Sequence, residues 1–257
     1  MKNTRTEKLE KENTAYPCTY TEKFHVEWDA ACATGRLSLT GLFNMIQITA
    51  GNHANICRFG FYDMMAAGQA WVLNRMKVYF TSMPGCNQEV QVTTWIHSSN
   101  GVISERNMVV EHDGEIFAQV STVWACINYE KRTPEHIAVD YPDYLVLGDK
   151  NIDIAKAARV RVPGITELLR KYRVAFSDID AMGHVNNIKY TQWILDSIPY
   201  EMALGITRGE VEVNFLAELH QGDQVLIEQG ETADGITFVV RRESDGRPAF
   251  LSRYRPL

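Results

Sequence analysis

Residues 177–187 form an unusually polar stretch, Ser177-Asp178-Ile179-Asp180-Ala181-Met182-Gly183-His184-Val185-Asn186-Asn187. The alternating residues 172–176 before it predict a strand, and the apolar spacing over residues 188–198 predicts a helix that ends near Pro199. Asn186 or Asn187 is expected to cap that helix. The stretch therefore lies at a predicted helix N-terminus, where free N–H groups and the helix dipole can hold an anion or a developing oxyanion.

Length and composition place the chain among globular proteins. It has 257 residues, enough for one large domain or two ordinary ones, and 45% of them are hydrophobic and 23% charged. Lysine plus arginine number 26 against 32 aspartates and glutamates, a formal charge of −6, which argues against a general nucleic-acid binder. No apolar run is long enough to span a membrane. We therefore expect neither nucleic-acid binding nor membrane insertion.

Cysteine usage and the N-terminus predict a cytoplasmic protein. The five cysteines are an odd number without CxxC spacing, a pattern typical of free thiols in a reducing compartment. The chain begins with a charged segment that lacks an apolar core, so it does not have the pattern of a signal peptide. We expect residues 1–16 to be a flexible N-terminus.

The first half has the pattern of a strand, a long helix and then antiparallel strands. A strand over residues 20–28 precedes a helix over residues 38–55, which carries an apolar stripe. After an irregular connection, alternating runs separated by turn residues predict four strands, over residues 71–80, 89–97, 102–111 and 116–128. Residues 131–166 contain three prolines and little periodicity, so we interpret them as a linker.

The second half of the chain repeats the first. Lys171-Tyr172-Arg173-Val174 corresponds to Lys23-Phe24-His25-Val26 at an offset of 148 positions (171 minus 23). Later strands correspond at an offset of 135 (213 minus 78), so the first half is expected to contain an insertion of 13 residues (148 minus 135) around residues 55–70. A long helix against an antiparallel sheet, twice over, predicts two similar α+β units packed together.

The repeat does not extend to the ionisable groups. The first half carries Cys32, Arg36 and Met83 at the positions of Asp180, His184 and Glu218. If these polar residues served folding alone, both copies would be expected to carry them. One copy is therefore predicted to perform chemistry and the other to bind an apolar ligand.

The polar stretch and its surroundings resemble the acyl-acyl carrier protein thioesterase family. The motif Asp-x-Asp-x-x-Gly-His-Val-Asn-Asn-x-x-Tyr-x-x-Trp spans residues 178–193. Residues 71–76, 89–95 and 121–124, followed by Lys131-Arg132, are similar to that family's first half. The resemblance implies an α+β tandem hotdog fold, in which an antiparallel sheet wraps a long central helix twice over.

The resemblance also implies a division of labour and an activity. An N-terminal hotdog over residues 17–130 would bind the acyl chain, and a C-terminal hotdog over residues 167–257 would be catalytic. The family hydrolyses the thioester between a fatty acyl chain and the phosphopantetheine of acyl carrier protein, which is therefore the expected partner. No metal and no cofactor are expected.

The family's catalytic aspartate, histidine and glutamate fall on Asp180, His184 and Glu218. Two departures from the family pattern matter. Many members have asparagine where this chain has Met182, and plant members have cysteine where it has Leu219. A cysteine nucleophile therefore cannot operate directly after Glu218.

Thioester hydrolysis needs an activated water or a nucleophile, and donors for the carbonyl oxygen. Our hypothesis is that Glu218, assisted by His184, activates water while Asp180 orients His184. Backbone N–H groups near Gly183 and His184 would bind the oxyanion. Direct attack by Asp180 through a mixed anhydride is a competing mechanism. The other expected positioning residues are Met182, Asn186 and Asn187.

The predicted enzyme needs a pocket for the acyl chain and a surface that binds the carrier protein. Residues expected to line the acyl-chain pocket are Leu42, Phe43, Ile46 and Trp71. Acyl carrier proteins are acidic, so an acidic enzyme needs a local basic patch to dock one. The candidate clusters are Arg159/Arg161, Arg170-Lys171-Arg173, Lys131-Arg132 and Arg241-Arg242.

Six further histidines show no metal-ligand spacing, so we expect structural or surface roles for His25, His53, His97, His112, His136 and His220.

Three alternatives to an acyl carrier protein thioesterase stay open. An acyl-CoA thioesterase would use the same chemistry on another carrier, and a non-catalytic acyl-binding protein is compatible with Met182. A hotdog dehydratase is the third alternative, and a homodimer is one possible assembly.

Overall fold

The computed structural model describes residues 16–257, so the flexible segment expected over residues 1–16 lies, except for Tyr16, outside the described residues. The helices are α1 (Leu39–Ile56), α2 (Phe61–Ala66), α3 (Asn187–Leu195) and α4 (Tyr200–Leu204). The strands are β1 (Thr19–His25), β2 (Gln69–Phe80), β3 (Glu89–Ser99), β4 (Ile103–His112), β5 (Glu115–Asn128), β6 (Glu167–Arg173), β7 (Gly209–Phe215), β8 (Gln224–Thr232), β9 (Gly235–Arg242) and β10 (Pro248–Pro256).

These strands form a single antiparallel sheet in the order β1-β3-β4-β5-β2-β7-β10-β9-β8-β6. Each half has the same order from its outer edge inward, and the halves join where β2 pairs with β7. Helix α1 packs on the first half, and α1 and α3 contact each other across the junction. The α+β class and the tandem hotdog arrangement are confirmed.

Helix α1 begins where its sequence predicts. Ser38 caps it, because the Ser38 hydroxyl accepts a hydrogen bond from the N–H of Gly41 at 2.9 Å. The apolar stripe of α1 is buried, including Leu42, Phe43 and Ile46. Burial of each such side chain contributes about 1.5–3 kcal/mol to stability, so the core contacts hold the helix in place against the sheet.

The second-half elements are shorter than expected. The strand predicted over residues 172–176 ends at Arg173, because the Asp178 carboxylate accepts the N–H of Ala175 at 2.8 Å and draws the chain into a single helical turn. Helix α3 ends at Leu195, before Pro199, and Pro199 instead occupies the residue position directly before α4.

The internal repeat is present in the backbone. Gly35 and Gly183 have φ angles of +70° and +80°, a region that favours glycine. The N–H of Gly35 donates to the carbonyl of Cys32 at 2.9 Å, and the N–H of Gly183 donates to that of Asp180 at 3.0 Å. The insertion expected around residues 55–70 contains α2, which lies between α1 and β2; in the second half the short helix α4 lies between α3 and β7.

The predicted linker, residues 131–166, packs along the outer face of the sheet. Its regular structure is one helical turn at residues 143–145. The N–H of Ala158 donates to Glu212 Oε1 at 2.5 Å, and the N–H of Val160 donates to Asn214 Oδ1 at 2.8 Å. Side chains of β7 therefore provide acceptors for backbone N–H groups of the linker, including that of buried Val160.

Among the described residues, no helix combines the length and the apolar character needed to cross a membrane. The five cysteines are all free thiols, and Cys57 and Cys126 are buried.

His53 is a fully buried imidazole whose tautomer follows from its partners. Nε2 lies 2.8 Å from the carbonyl oxygen of Pro17, so Nε2 carries the proton, and Nδ1 accepts from Nη1 of Arg106 at 2.7 Å. Burial, and then the charge of Arg106, lowers the pKa of His53 from 6.5 to about 4. His53 is therefore neutral at physiological pH.

This lowered pKa predicts a loss of stability in mild acid. Between pH 6.5 and pH 4 the unfolded chain binds the His53 proton and the folded chain does not, so stability present above pH 6.5 falls as the pH approaches 4. The full loss is about 3 kcal/mol. Urea unfolding at pH 7.5 and pH 4.5 should show a smaller pH difference in a His53→Gln variant. An identical pH difference in both proteins would contradict the assignment.

Candidate active site

The polar stretch forms a tight turn held by Asp180. The Asp180 carboxylate accepts the N–H of Met182 at 2.8 Å, and the N–H of Asp180 donates to the carbonyl of His184 at 2.9 Å. The N–H of Gly183 is already bonded to Asp180. The expected use of Gly183 as an oxyanion donor is therefore not available in this structure, because its proton is committed within the turn.

The start of α3 provides a different donor. Asn186 is the cap, since its Oδ1 accepts the N–H of Ile188 at 3.0 Å. Asn187 is the first helical residue, and its side chain lines the cavity beside the turn. Its side-chain amide carries donors, so Asn187 is a candidate to hold a carbonyl oxygen in that cavity.

Glu218 reaches the turn from the segment that follows β7. The N–H of Val185 donates to the carbonyl of Leu219 at 2.9 Å and ties the two segments together. As a result Glu218 Oε2 lies 3.4 Å from His184 Nε2. Within the described part of the chain, no hydrogen bond or ion pair joins the Asp180 carboxylate to His184, so Glu218 is the carboxylate beside the imidazole.

Arg132 is a member of this cluster that the sequence did not single out for chemistry. Its guanidinium forms an ion pair with Glu218, and Nη2 lies 3.5 Å from His184 Nε2. The guanidinium also lies over the Tyr129 ring, 5.3 Å from its centroid. The backbone of Arg132 has φ +54° and its N–H donates to Asn128 at 3.0 Å, an unusual turn conformation for a non-glycine residue.

The second missed neighbour is His220. Its ring lies edge-on to His184 with 4.9 Å between centroids. His184, Glu218 and His220 each offer one ligand atom, and these atoms lie within 4.8 Å of one another, a spacing that a divalent cation could use. The positive guanidinium of Arg132 lies in the same place and opposes a cation there. The sequence signal for His220 was its position two residues after Glu218.

The first half has the same geometry without the ionisable groups. Arg36, at the position of His184, donates through Nη1 to the carbonyl of Met83 at 2.8 Å, and Met83 occupies the position of Glu218. This contact ties the corresponding segments of the first half together. The difference between the copies is therefore chemical rather than architectural.

The cluster opens into a cavity of about 410 Å³ between the two halves. Asp180, Met182, His184, Asn187 and Glu218 line one side, and the opposite side includes residues of β2 and β5. Tyr190 lies beneath it, and burial together with the charge of Glu218 raises the pKa of Tyr190. Tyr190 therefore keeps its proton next to the cluster.

A second cavity of about 210 Å³ adjoins the first on the side of the N-terminal half. The two share Ala70, Trp71, Trp124 and Met182. Small residues on the last turns of α1 leave this space, because Ala50, Gly51 and Ala54 carry little or no side chain. The remaining walls include Phe59, Phe61 and Met64, so the cavity is predominantly apolar.

Of the four residues predicted to line the acyl-chain pocket, only some line a cavity in the structure. Trp71 lines both cavities. Phe43 and Ile46 line only a narrow neighbouring space of about 10 Å³. Leu42 is fully buried in the core and is not among the residues lining any of these three spaces. The large side chains on the early turns of α1 fill the space that they were expected to border.

Comparison with known proteins identifies the family. Residues 17–145 match the acyl-ACP thioesterase N-terminal domain, and residues 165–248 match the acyl-ACP thioesterase C-terminal domain.

Among curated proteins, a chloroplastic palmitoyl-acyl carrier protein thioesterase of Arabidopsis thaliana is 30% identical over 63% of this chain and 43% of its own length. A palmitoyl-acyl carrier protein thioesterase of Gossypium hirsutum is 28% identical over 70% of this chain and 47% of its own. The chain thus spans about half the length of these curated relatives.

Solved structures of similar fold superpose on nearly the whole of this chain. An acyl-ACP thioesterase from Bacteroides thetaiotaomicron superposes with a TM-score of 0.84 at 28% identity, covering 92% of this chain and 97% of that one. A 12:0-ACP thioesterase from Umbellularia californica, at 18% identity and a TM-score of 0.75 over 94% of this chain and 99% of its own, shares the fold. This chain belongs to the acyl-ACP thioesterase family.

Proposed function

We propose that the protein hydrolyses the thioester of a fatty acyl chain on acyl carrier protein and releases the free fatty acid. The observation that carries this proposal is the 3.4 Å approach of Glu218 Oε2 to His184 Nε2 at the wall of a cavity that shares four lining residues with an apolar one. A carboxylate beside an imidazole supplies acid–base chemistry, and the apolar cavity suits an acyl chain. Membership of the family supports the same activity.

In the proposed mechanism Glu218 removes a proton from a water molecule, and the water oxygen attacks the thioester carbon. The negative charge that develops on the carbonyl oxygen is stabilised by the amide of Asn187 and the nearby His184. Collapse of the intermediate breaks the carbon–sulfur bond, and the proton taken by Glu218 passes through His184 to the departing thiolate. Asp180 shapes the turn, and Arg132 holds the Glu218 carboxylate in position.

The proposed division of labour follows the two cavities. Residues 17–130 would receive the acyl chain and residues 167–257 would supply the reacting groups. Arg132 lies in the predicted linker, residues 131–166, so the linker would complete the site rather than merely connect the halves.

The five free thiols support a reducing, cytoplasmic location. A homodimer stays a prediction.

Lys131 is the residue we propose for docking the acidic carrier protein. It is exposed next to Arg132 at the mouth of the site, and among residues 16–257 no carboxylate pairs with it. Two other basic clusters are partly neutralised, because Lys171 pairs with Glu243 and Arg242 pairs with Asp245.

A comparison of carriers tests the proposal. Hydrolysis of matched acyl-acyl carrier protein and acyl-CoA substrates should favour the carrier protein in kcat/KM. The Lys131→Glu variant should reduce turnover of the carrier-protein substrate by about 3- to 10-fold at low salt without affecting acyl-CoA. Arg161→Glu, the same charge reversal in a cluster away from the mouth, is the control. Equal rates on both carriers would favour an acyl-CoA thioesterase, and retention of an acyl ligand without hydrolysis would favour a binding protein.

A further inference from the structure

The apolar cavity contains one buried positive charge. Arg106, on β4, is 5% exposed and lines the cavity together with Ser104 and Tyr141. These three polar residues belong to the inner cavity and do not line the cavity at Glu218. A chain that enters past Trp71 and Met182 therefore reaches them only after leaving the reacting groups.

The guanidinium of Arg106 has donors to spare. Nη1 donates to Nδ1 of His53 at 2.7 Å and to the hydroxyl of Thr94 at 3.2 Å. Its hydrogen bonds to residues 16–257 use this one nitrogen, so Nε and Nη2 have no acceptor there. Over the same residues no carboxylate forms an ion pair with Arg106.

The neighbours of Arg106 are neutral. His53 is uncharged at physiological pH, as its lowered pKa requires, and burial raises the pKa of Cys57 to about 11 and raises that of Tyr141. Burial lowers the pKa of Arg106 only to about 10, so the guanidinium keeps its charge. Buried charges in proteins are normally paired. This one faces a cavity large enough to admit its partner.

We propose that the acyl chain accepted here carries a carboxylate at the end remote from the thioester, so that the substrate is a half-thioester of a dicarboxylic acid. The proposal rests on the thioesterase function above and names its substrate class. Arg106 would receive the carboxylate through its free nitrogens, a planar geometry in which guanidinium and carboxylate form two parallel bonds. The hydroxyls of Ser104 and Tyr141 are hydrogen-bonded to each other at 3.1 Å, so one of the two keeps its proton free as a further donor at the same place.

The chemistry favours a carboxylate over a methyl end. A methyl group would cover the guanidinium without accepting its hydrogen bonds and would leave a buried charge without a partner. Sites built around a buried polar group reject analogues that lack its partner far more strongly than apolar pockets reject a missing methylene. A carboxylate satisfies both the charge and the spare donors.

The test compares acyl-acyl carrier protein thioesters that differ only in their far end. Over a series of matched lengths, the wild-type protein should prefer the carboxylate-ended chain over the methyl-ended one by on the order of 10²-fold in kcat/KM at its best length. Arg106→Met should remove this preference and raise turnover of methyl-ended chains. Arg241→Met, which removes an arginine paired with Glu228 outside the cavity, should leave the ratio unchanged. Equal or better turnover of methyl-ended chains at every length would overturn the proposal.

Binding separates this proposal from the thioesterase function. By calorimetry, a dicarboxylic acid should bind more tightly than the monocarboxylic acid of the same length, whether or not any thioester is hydrolysed. Failure of hydrolysis with this binding preference would reject the enzyme activity alone. Hydrolysis without the preference would reject the substrate class alone. If Arg106→Met does not fold, a Ser104→Ala/Tyr141→Phe variant should lower the preference by about 10-fold, and an unchanged preference would count against the proposal.

Discussion

Replacing Glu218 by glutamine should lower the kcat of thioester hydrolysis by about 10²- to 10⁴-fold, the range typical of a lost general base. Glutamine has the same shape and can still fill the space beside His184, so the acyl chain should bind as before. KM should therefore change little. The measurement is steady-state hydrolysis of an acyl-acyl carrier protein, with ligand binding measured on the same preparation.

Two further variants distinguish the role of Glu218 from the roles of Asp180 and Arg132. Asp180→Asn tests the competing mechanism, because direct attack by Asp180 would make that residue, and not Glu218, indispensable. Under direct attack, a single turnover in heavy-oxygen water would place label in the Asp180 carboxylate when water attacks the aspartyl carbonyl of the mixed anhydride. Arg132→Met leaves the Glu218 carboxylate intact but frees it from its ion pair, so we expect a smaller loss of about 10-fold. Wild-type turnover by Glu218→Gln would defeat the assignment of the base.

Replacing Glu212 by glutamine should destabilise the protein by about 3 kcal/mol, the lower end of the usual cost of breaking a buried ion pair from one side. Glu212 is fully buried on β7. It lies directly opposite Lys77 of β2 on one side and Arg253 of β10 on the other, with Lys77 Nζ at 3.5 Å and the Arg253 guanidinium in contact. The variant would remove the carboxylate shared by buried Lys77 and partly buried Arg253. Lys77 would keep only Glu210, at 3.6 Å, and Arg253 would keep Glu210 and Asp234, at 4.0 and 3.4 Å.

The position of Glu212 links this stability to the active site. The pairing of β2 with β7 is the junction between the two halves, and the cavity at Glu218 has walls from both. Urea unfolding measures the loss, with Glu243→Gln as the control, because Glu243 forms an exposed pair with Lys171 that should contribute less than about 1 kcal/mol. Equal stability of the two variants would show that the ion pairs of Glu212 with Lys77 and Arg253 do not hold the junction.

Local signals explain why much of the fold could be predicted. The cap at Ser38 and the glycines of the two equivalent turns each act within a few residues, so their chemistry is readable in a short window. The internal repeat added long-range information, because equivalent segments adopt equivalent backbone. The prediction that His184 and Glu218 meet also rested on that repeat and on the family resemblance, and the structure places them together.

The sequence predicted the cavity lining least well, because the lining depends on how large side chains from distant segments pack together. Leu42 and Trp71 are both apolar residues near α1, yet only Trp71 borders the cavities. Which side chains fill a space and which leave it open depends on packing across elements. Helix α3 likewise ends at Leu195, although its apolar spacing continues to Ile198.

By itself the sequence determined the two-unit α+β architecture, the tight turn at Asp180 and the confinement of the ionisable groups to the second unit. Only the tertiary structure decided that Arg132 meets Glu218, that His220 lies against His184 and that Arg106 faces the apolar cavity. Arg132 and Glu218 are separated by 86 positions, and Arg106 and His53 by 53. Such contacts depend on how the strands stack and where the linker crosses them, and no local pattern of residues carries that information.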